Sequence, residues 1–160
     1  MKKIVFAALI IGAVLLQSTL ISRISFFGAR PDLTWIMVMA CGLFLDLRSA
    51  VFFCALCGLL KDSLGVSSFG ASTILFPMWC IAIASASKRI SFDATAVSSL
   101  FLFFMMLVNA VVLRILPYTS AGNLPIGSFL RVSFIESAST ALLFIWLGPV
   151  LRRVSLTTLW

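Results

Sequence analysis

The sequence predicts an all-α fold, a polytopic bundle of about six transmembrane helices, and three observations carry that reading. Hydrophobic residues make up 62% of the 160 positions and charged residues only 11%, which leaves too little polar surface to cover a water-soluble domain. The apolar residues stand in unbroken blocks instead of the stripe of a half-buried helix or strand, as expected of a chain solvated by lipid. The twelve Lys and Arg residues sit singly or in pairs at the edges of those blocks. A formal charge of +7 spread in that way anchors a chain among membrane lipid headgroups and forms no patch for nucleic acid.

The first block, 4–21, follows Lys2 and Lys3. It has the basic start and apolar core of a signal peptide, but it is a full span long and no small-x-small cleavage site follows, so it reads as a retained helix. The next two blocks, 33–45 and 50–60, are separated by "DLRS", residues 46–49. One long helix would hold Asp46 and Arg48 at mid-bilayer, where each charge costs roughly 2.5–3.5 kcal/mol; two short helices with an interfacial turn avoid that. Three longer blocks follow at 69–87, 94–116 and 128–150, punctuated by Lys88-Arg89, by "LPYTSAGNLP" and by Arg152-Arg153. Residues 1–160 are therefore expected to form a single integral membrane domain. With both termini in the cytoplasm, Lys2, Lys3, Arg48, Lys88, Arg89, Arg152 and Arg153 all face inward, as the positive-inside rule asks. Five helices with the N-terminus outside fit the charges almost as well.

Candidate chemistry is sparse. The chain has no histidine, which excludes imidazole metal ligation, a histidine relay and a Ser-His-Asp triad. No catalytic, metal-binding or cofactor-binding residue is expected. Of the five acidic residues, Asp32, Asp46, Asp62 and Asp93 fall at expected helix ends, where a carboxylate caps the helix or meets solvent. Glu136 falls about two turns into the last helix, and an intramembrane carboxylate is by default a functional site. It is a candidate polar site, with Arg114 on the fifth helix and Arg131 on its own helix as nearby cations. A plain hydrogen bond to a neighbouring helix is the competing reading. Cys54 and Cys57 form a CxxC inside an apolar helix with no second CxxC, the setting of small packing residues and not of redox or metal chemistry. Small residues four apart, Ala8 with Gly12, Cys54 with Gly58 and Ala82 with Ala86, mark faces that let another helix approach closely.

Two stretches carry a resemblance. "RPDLTWIMV" leads into the second block, and "CGLLKDSLGVSSFGAST" leaves the third. Together they resemble the MreD family of bacterial rod shape-determining membrane proteins, in which an Arg/Pro-Asp/Asn-Leu entry to the second helix accompanies a Gly-Leu-Leu-x-Asp-x-x-x-Gly-like exit from the third. The matching residues are Pro31, Asp32 and Leu33, then Gly58, Leu59, Leu60, Asp62, Gly65, Phe69 and Gly70. Lys61 stands where an apolar residue is usual.

The resemblance implies structural or partner-binding roles for Pro31, Asp32, Leu33, Gly58, Asp62, Gly65, Phe69 and Gly70. It implies a six-helix fold similar to the substrate-binding subunits of energy-coupling-factor transporters. It further implies a non-enzymatic, cofactor-free scaffold of the cell-elongation complex in the bacterial inner membrane. Such a scaffold binds MreC, a single-pass periplasmic coiled-coil protein, and helps couple MreB filaments to the peptidoglycan glycosyltransferase and transpeptidase. The alternative function is a small-molecule transport subunit like those energy-coupling-factor components. On the residues themselves, Gly58 and Asp62 share one helix face, Gly65 suits a helix end at positive φ, and Ser67, Ser68 and Gly70 suit the cap of the next helix. Lys61 is then expected to snorkel at the outer interface, and Asp62 to bond exposed amides of the next helix.

Overall fold

The computed structural model describes residues 2–19, 31–64, 70–89, 94–115 and 125–157, and among them there are six helices and no strand. They are α1 (Lys2–Thr19), α2 (Leu33–Phe44), α3 (Leu47–Leu64), α4 (Ala71–Ala86), α5 (Thr95–Ile115) and α6 (Ile126–Thr157). Two of them, over Thr95–Ile115 and Ile126–Arg153, are long and apolar enough to cross a membrane by length and composition; Phe6–Thr19, Leu33–Phe44 and Ala71–Ala86 are apolar but shorter.

The second and third blocks are separate helices. α2 stops at Phe44, where the Leu45 N–H still donates to the Cys41 carbonyl at 3.1 Å, and the chain restarts with the Ala50 N–H donating to the Asp46 carbonyl at 2.8 Å. Asp46 and Arg48 are exposed at that turn, so neither charge enters the bundle. α3 is longer than the apolar block 50–60 suggested, because Arg48, Lys61 and Asp62 stay helical at its ends. α6 likewise runs to Thr157, beyond the expected end at 150.

α2 is the centre of the bundle and packs against all five other helices. Residues 34 to 42 are all buried, as expected of a helix that is apolar all round. Its Trp35 meets Phe76 edge-on, ring centroids 5.4 Å apart, and lies 6.4 Å from Trp79. α3 packs closely with α4, and α5 with α6, the latter through Phe103 and Phe134 at 5.3 Å. The outward faces carry large apolar side chains, with Phe52, Ile74, Phe104 and Trp146 all exposed. A patch of that kind is suited to lipid or to another helix. Several serine and threonine hydroxyls within the helices fold back onto the preceding turn, as Ser63 does to the Leu59 carbonyl and Ser137 to the Ser133 carbonyl, which satisfies their donors within the helix itself. Every buried side-chain nitrogen and oxygen among the described residues has a hydrogen-bond partner.

Candidate functional site

The polar side chains converge where α2 begins and α3 ends. Asp32 N-caps α2: its Oδ1 accepts from the Thr34 N–H at 3.0 Å and from the Thr34 hydroxyl, with extended backbone at φ −107°. A carboxylate here satisfies amides left open by the first turn and lies at the positive end of the helix dipole. Its other oxygen, Oδ2, forms an ion pair with Lys61. The pair is unevenly covered, the Asp32 side chain being 4% exposed and the Lys61 side chain 31%. The Lys61 ammonium also lies 5.2 Å from the centre of the Phe76 ring, a cation–π contact. The expectation that Lys61 snorkels outward is therefore corrected. A buried carboxylate is a stronger attractor for the ammonium than a headgroup, because leaving Asp32 unpaired is costly.

The residues on either side of Asp32 are also tied down. Gln17 of α1 donates through Nε2 to the Pro31 carbonyl at 3.3 Å and accepts the Leu33 N–H at 2.8 Å through Oε1. Thr140 of α6 accepts the Asp32 N–H at 2.9 Å and donates to the Glu136 carbonyl at 2.8 Å. Pro31 and Leu33 thus anchor the entry of α2 to Gln17 of α1, while Asp32 anchors it to Thr140 of α6 and Lys61 of α3.

The second motif joins α3 to α4. Gly58 faces the α4 backbone so closely that a Cβ built on it would lie 2.5 Å from the Ser72 carbonyl oxygen and 2.7 Å from the Thr73 Cα. One turn on, Asp62 is buried and its Oδ2 accepts from the Gly70 N–H at 3.1 Å, the Thr73 N–H at 3.0 Å and the Thr73 hydroxyl at 2.9 Å. Gly70, with φ of 97°, precedes α4 in the left-handed region open to glycine. Gly65 and Phe69, and with them the expected helix end at positive φ and the Ser67-Ser68 cap, lie outside the described residues. Because Asp62 works as an acceptor, Asp62→Asn keeps a side-chain oxygen in place and should melt within about 1 kcal/mol of the parent, whereas Asp62→Leu should lose about 1–3 kcal/mol. Thermal denaturation of the detergent-solubilised variants measures the order.

A further link runs from α4 to α5, where the Trp79 indole N–H donates to Asn109 Oδ1 at 2.9 Å. Between α2, α3, α5 and α6 lies a cavity of about 90 Å³ lined by Asp32, Trp35, Lys61, Asn109, Ser133 and Glu136 among others. Glu136 is half-buried there, across the cavity from the Lys61–Asp32 pair. The structure does not bring the expected arginines to it: the Arg114 guanidinium lies over the Phe129 ring at 4.6 Å, and Arg131 is exposed. Arg131 and Glu136 are five positions apart, about 140° around the helix, so the two point to different faces.

Cys41, Cys54, Cys57 and Cys80 are free and buried in the core, and no group of three or more Cys, Asp or Glu among the described residues is placed to hold a metal ion. A Cβ added at Gly12 would meet open space, whereas the Cys54–Gly58 face coincides with a close backbone approach at Gly58. Sequence reasoning did not identify Gln17, Thr73, Thr140 or the pairing of Lys61 with Asp32. The available signal was a single strongly polar residue inside an apolar block.

The fold and this seam define a class: a membrane-type helical bundle whose few polar side chains act as pins between neighbouring helices. The family model for the rod shape-determining protein MreD matches residues 2–154. The chain belongs to the MreD family, a family of membrane proteins with a role in determining rod shape. No curated relative and no solved structure matches it.

Proposed function

We propose that this chain is a non-enzymatic scaffold of the bacterial cell-elongation complex, a multi-pass inner-membrane protein that binds MreC. Through that complex it helps couple MreB filaments on the cytoplasmic side to the glycosyltransferase and transpeptidase that build peptidoglycan outside. The family match over residues 2–154 carries the reading. The site chemistry supports it, because Asp32, Asp62, Lys61, Gln17, Thr140 and Asn109 are all engaged in holding helices together. The cavity at Glu136, about 90 Å³, is small beside the roughly 300–1,000 Å³ typical of pockets for small-molecule ligands, so this polar site is not itself sized for a vitamin-like substrate.

Depletion in a rod-shaped host tests the role. Cells should widen and round while labelled peptidoglycan precursor loses its side-wall pattern, and re-expression should restore both; cells that stay rod-shaped on depletion would overturn the reading. The orientation has its own test. With the native cysteines replaced, a cysteine at Ser49 should react with an impermeant maleimide only from the cytoplasmic side, and one at Ser128 only from outside. Labelling of both from one side would refute six spans with cytoplasmic termini.

A further inference from the structure

The cavity between α2, α3, α5 and α6 holds an imbalance that the links between helices do not resolve. Two carboxylates, Asp32 and Glu136, and one ammonium, Lys61, line it, and the ammonium is committed to Asp32. The Glu136 side chain makes no ion pair or hydrogen bond to another described residue, although its backbone carbonyl is engaged by Ser139 and Thr140. A carboxylate inside a membrane bundle calls for a partner of opposite charge. Ser137 adds an acceptor suited to a cation: it spends its proton on the Ser133 carbonyl at 2.8 Å, which leaves its hydroxyl lone pairs to accept. Size narrows the guest. A volume of about 90 Å³, well below the roughly 300–1,000 Å³ of pockets for drug-sized ligands, suits the head of one side chain better than a whole ligand. A bare metal ion is disfavoured, since no described group of acidic or sulfur side chains converges on one point.

We propose that this cavity receives one basic side chain, an arginine or lysine carried by the membrane-spanning segment of a partner protein, with Glu136 as its counter-ion. The proposal rests on the scaffold reading and names the recognition chemistry within it. Glu136 sets which partner segment docks, and the Lys61–Asp32 pair stays intact beside the guest. Small side chains at Ala110, Ser133 and Ser137 along the lining leave space for the incoming side chain to reach the carboxylate.

A synthetic single-span helix supplies a direct probe. The full-length protein is reconstituted in phosphatidylcholine vesicles with a Leu/Ala helix of roughly 20 residues carrying one arginine about two turns from its end, or glutamine at the same place, and association is read by energy transfer. The arginine helix should bind about tenfold or more tightly than the glutamine helix, the scale of losing one partner of a buried charge pair. Glu136→Gln should erase that preference. Asp46→Asn, which removes an exposed carboxylate at the α2–α3 turn, should leave it unchanged. Circular dichroism and melting of Glu136→Gln must match the parent, and Glu136→Asp, which retains the charge, should restore at least part of the preference if the fold is altered. Equal binding of both helices by the parent, or a preference that survives Glu136→Gln, overturns the proposal. Co-purification separates this failure from failure of the scaffold reading: an MreC-like protein recovered equally with the parent and with Glu136→Gln refutes only the cavity's role, and one recovered with neither refutes the scaffold.

Discussion

Gly58→Leu should abolish accumulation of the folded protein, and Gly58→Ala should already lower its melting temperature. The reason is the nature of the neighbour. A Cβ at position 58 would lie 2.5 Å from the Ser72 carbonyl oxygen, 2.7 Å from the Ser72 carbonyl carbon and 2.7 Å from the Thr73 Cα. These are backbone atoms of α4 that cannot rotate away as a flexible side chain would. α3 and α4 must therefore separate, and the separation pulls Thr73 and Gly70 from Asp62 one turn further on. Overpacking of a close contact costs about 1–3 kcal/mol even when the structure can yield, and in a membrane the loss of helix contact removes a main source of association energy. Abundance in the membrane fraction and melting in detergent measure both variants. Gly58→Leu that melts with the parent would contradict the α3–α4 packing.

Lys61→Met should be the most damaging of the charge-removing substitutions, at about 3–5 kcal/mol, because it strands a buried carboxylate. Asp32 is 4% exposed and has no other cation bonded to it among the described residues, whereas Lys61 is 31% exposed and retains the Phe76 ring if Asp32 is neutralised. Asp32→Asn should accordingly cost less, since asparagine keeps the N-cap oxygen that Thr34 uses. The double variant, Asp32→Asn with Lys61→Met, should recover most of the stability lost by Lys61→Met alone. A double-mutant cycle by thermal denaturation provides the coupling energy. Additive losses would show that the pair contributes no interaction of its own.

The helices were legible in the sequence for a simple physical reason. Lipid solvation demands apolar blocks, and the blocks announce their own ends through Lys2-Lys3, Lys88-Arg89 and Arg152-Arg153. Even the break at Leu45 and Asp46 could be read, from the cost of holding Asp46 and Arg48 inside a span. The helix limits were less legible, because charged residues such as Lys61 and Asp62 remain helical after hydropathy has fallen. The two motifs lie in segments where polar contacts between helices gather, and Asp62 and Gly58 could be placed on one face by spacing alone. What they touch is tertiary. Lys61 is separated from Asp32 by 29 positions and Asp32 from Thr140 by 108, and no local pattern encodes either meeting. The one hint was a lysine next to Asp62 at the end of an otherwise apolar block. Glu136 stood out as an intramembrane carboxylate, but its surroundings did not: Arg114 was a natural counter-ion by sequence, and in the structure it lies over Phe129.

The central claim is that this protein works by binding, and affinity purification of the tagged full-length chain from gently solubilised membranes of its host tests it most directly. A single-pass coiled-coil protein of the MreC type should be recovered in fixed proportion with the parent and with Asp62→Asn, and should be lost with Gly58→Leu. Recovery of the parent chain alone, folded and abundant but without that partner, would contradict the account.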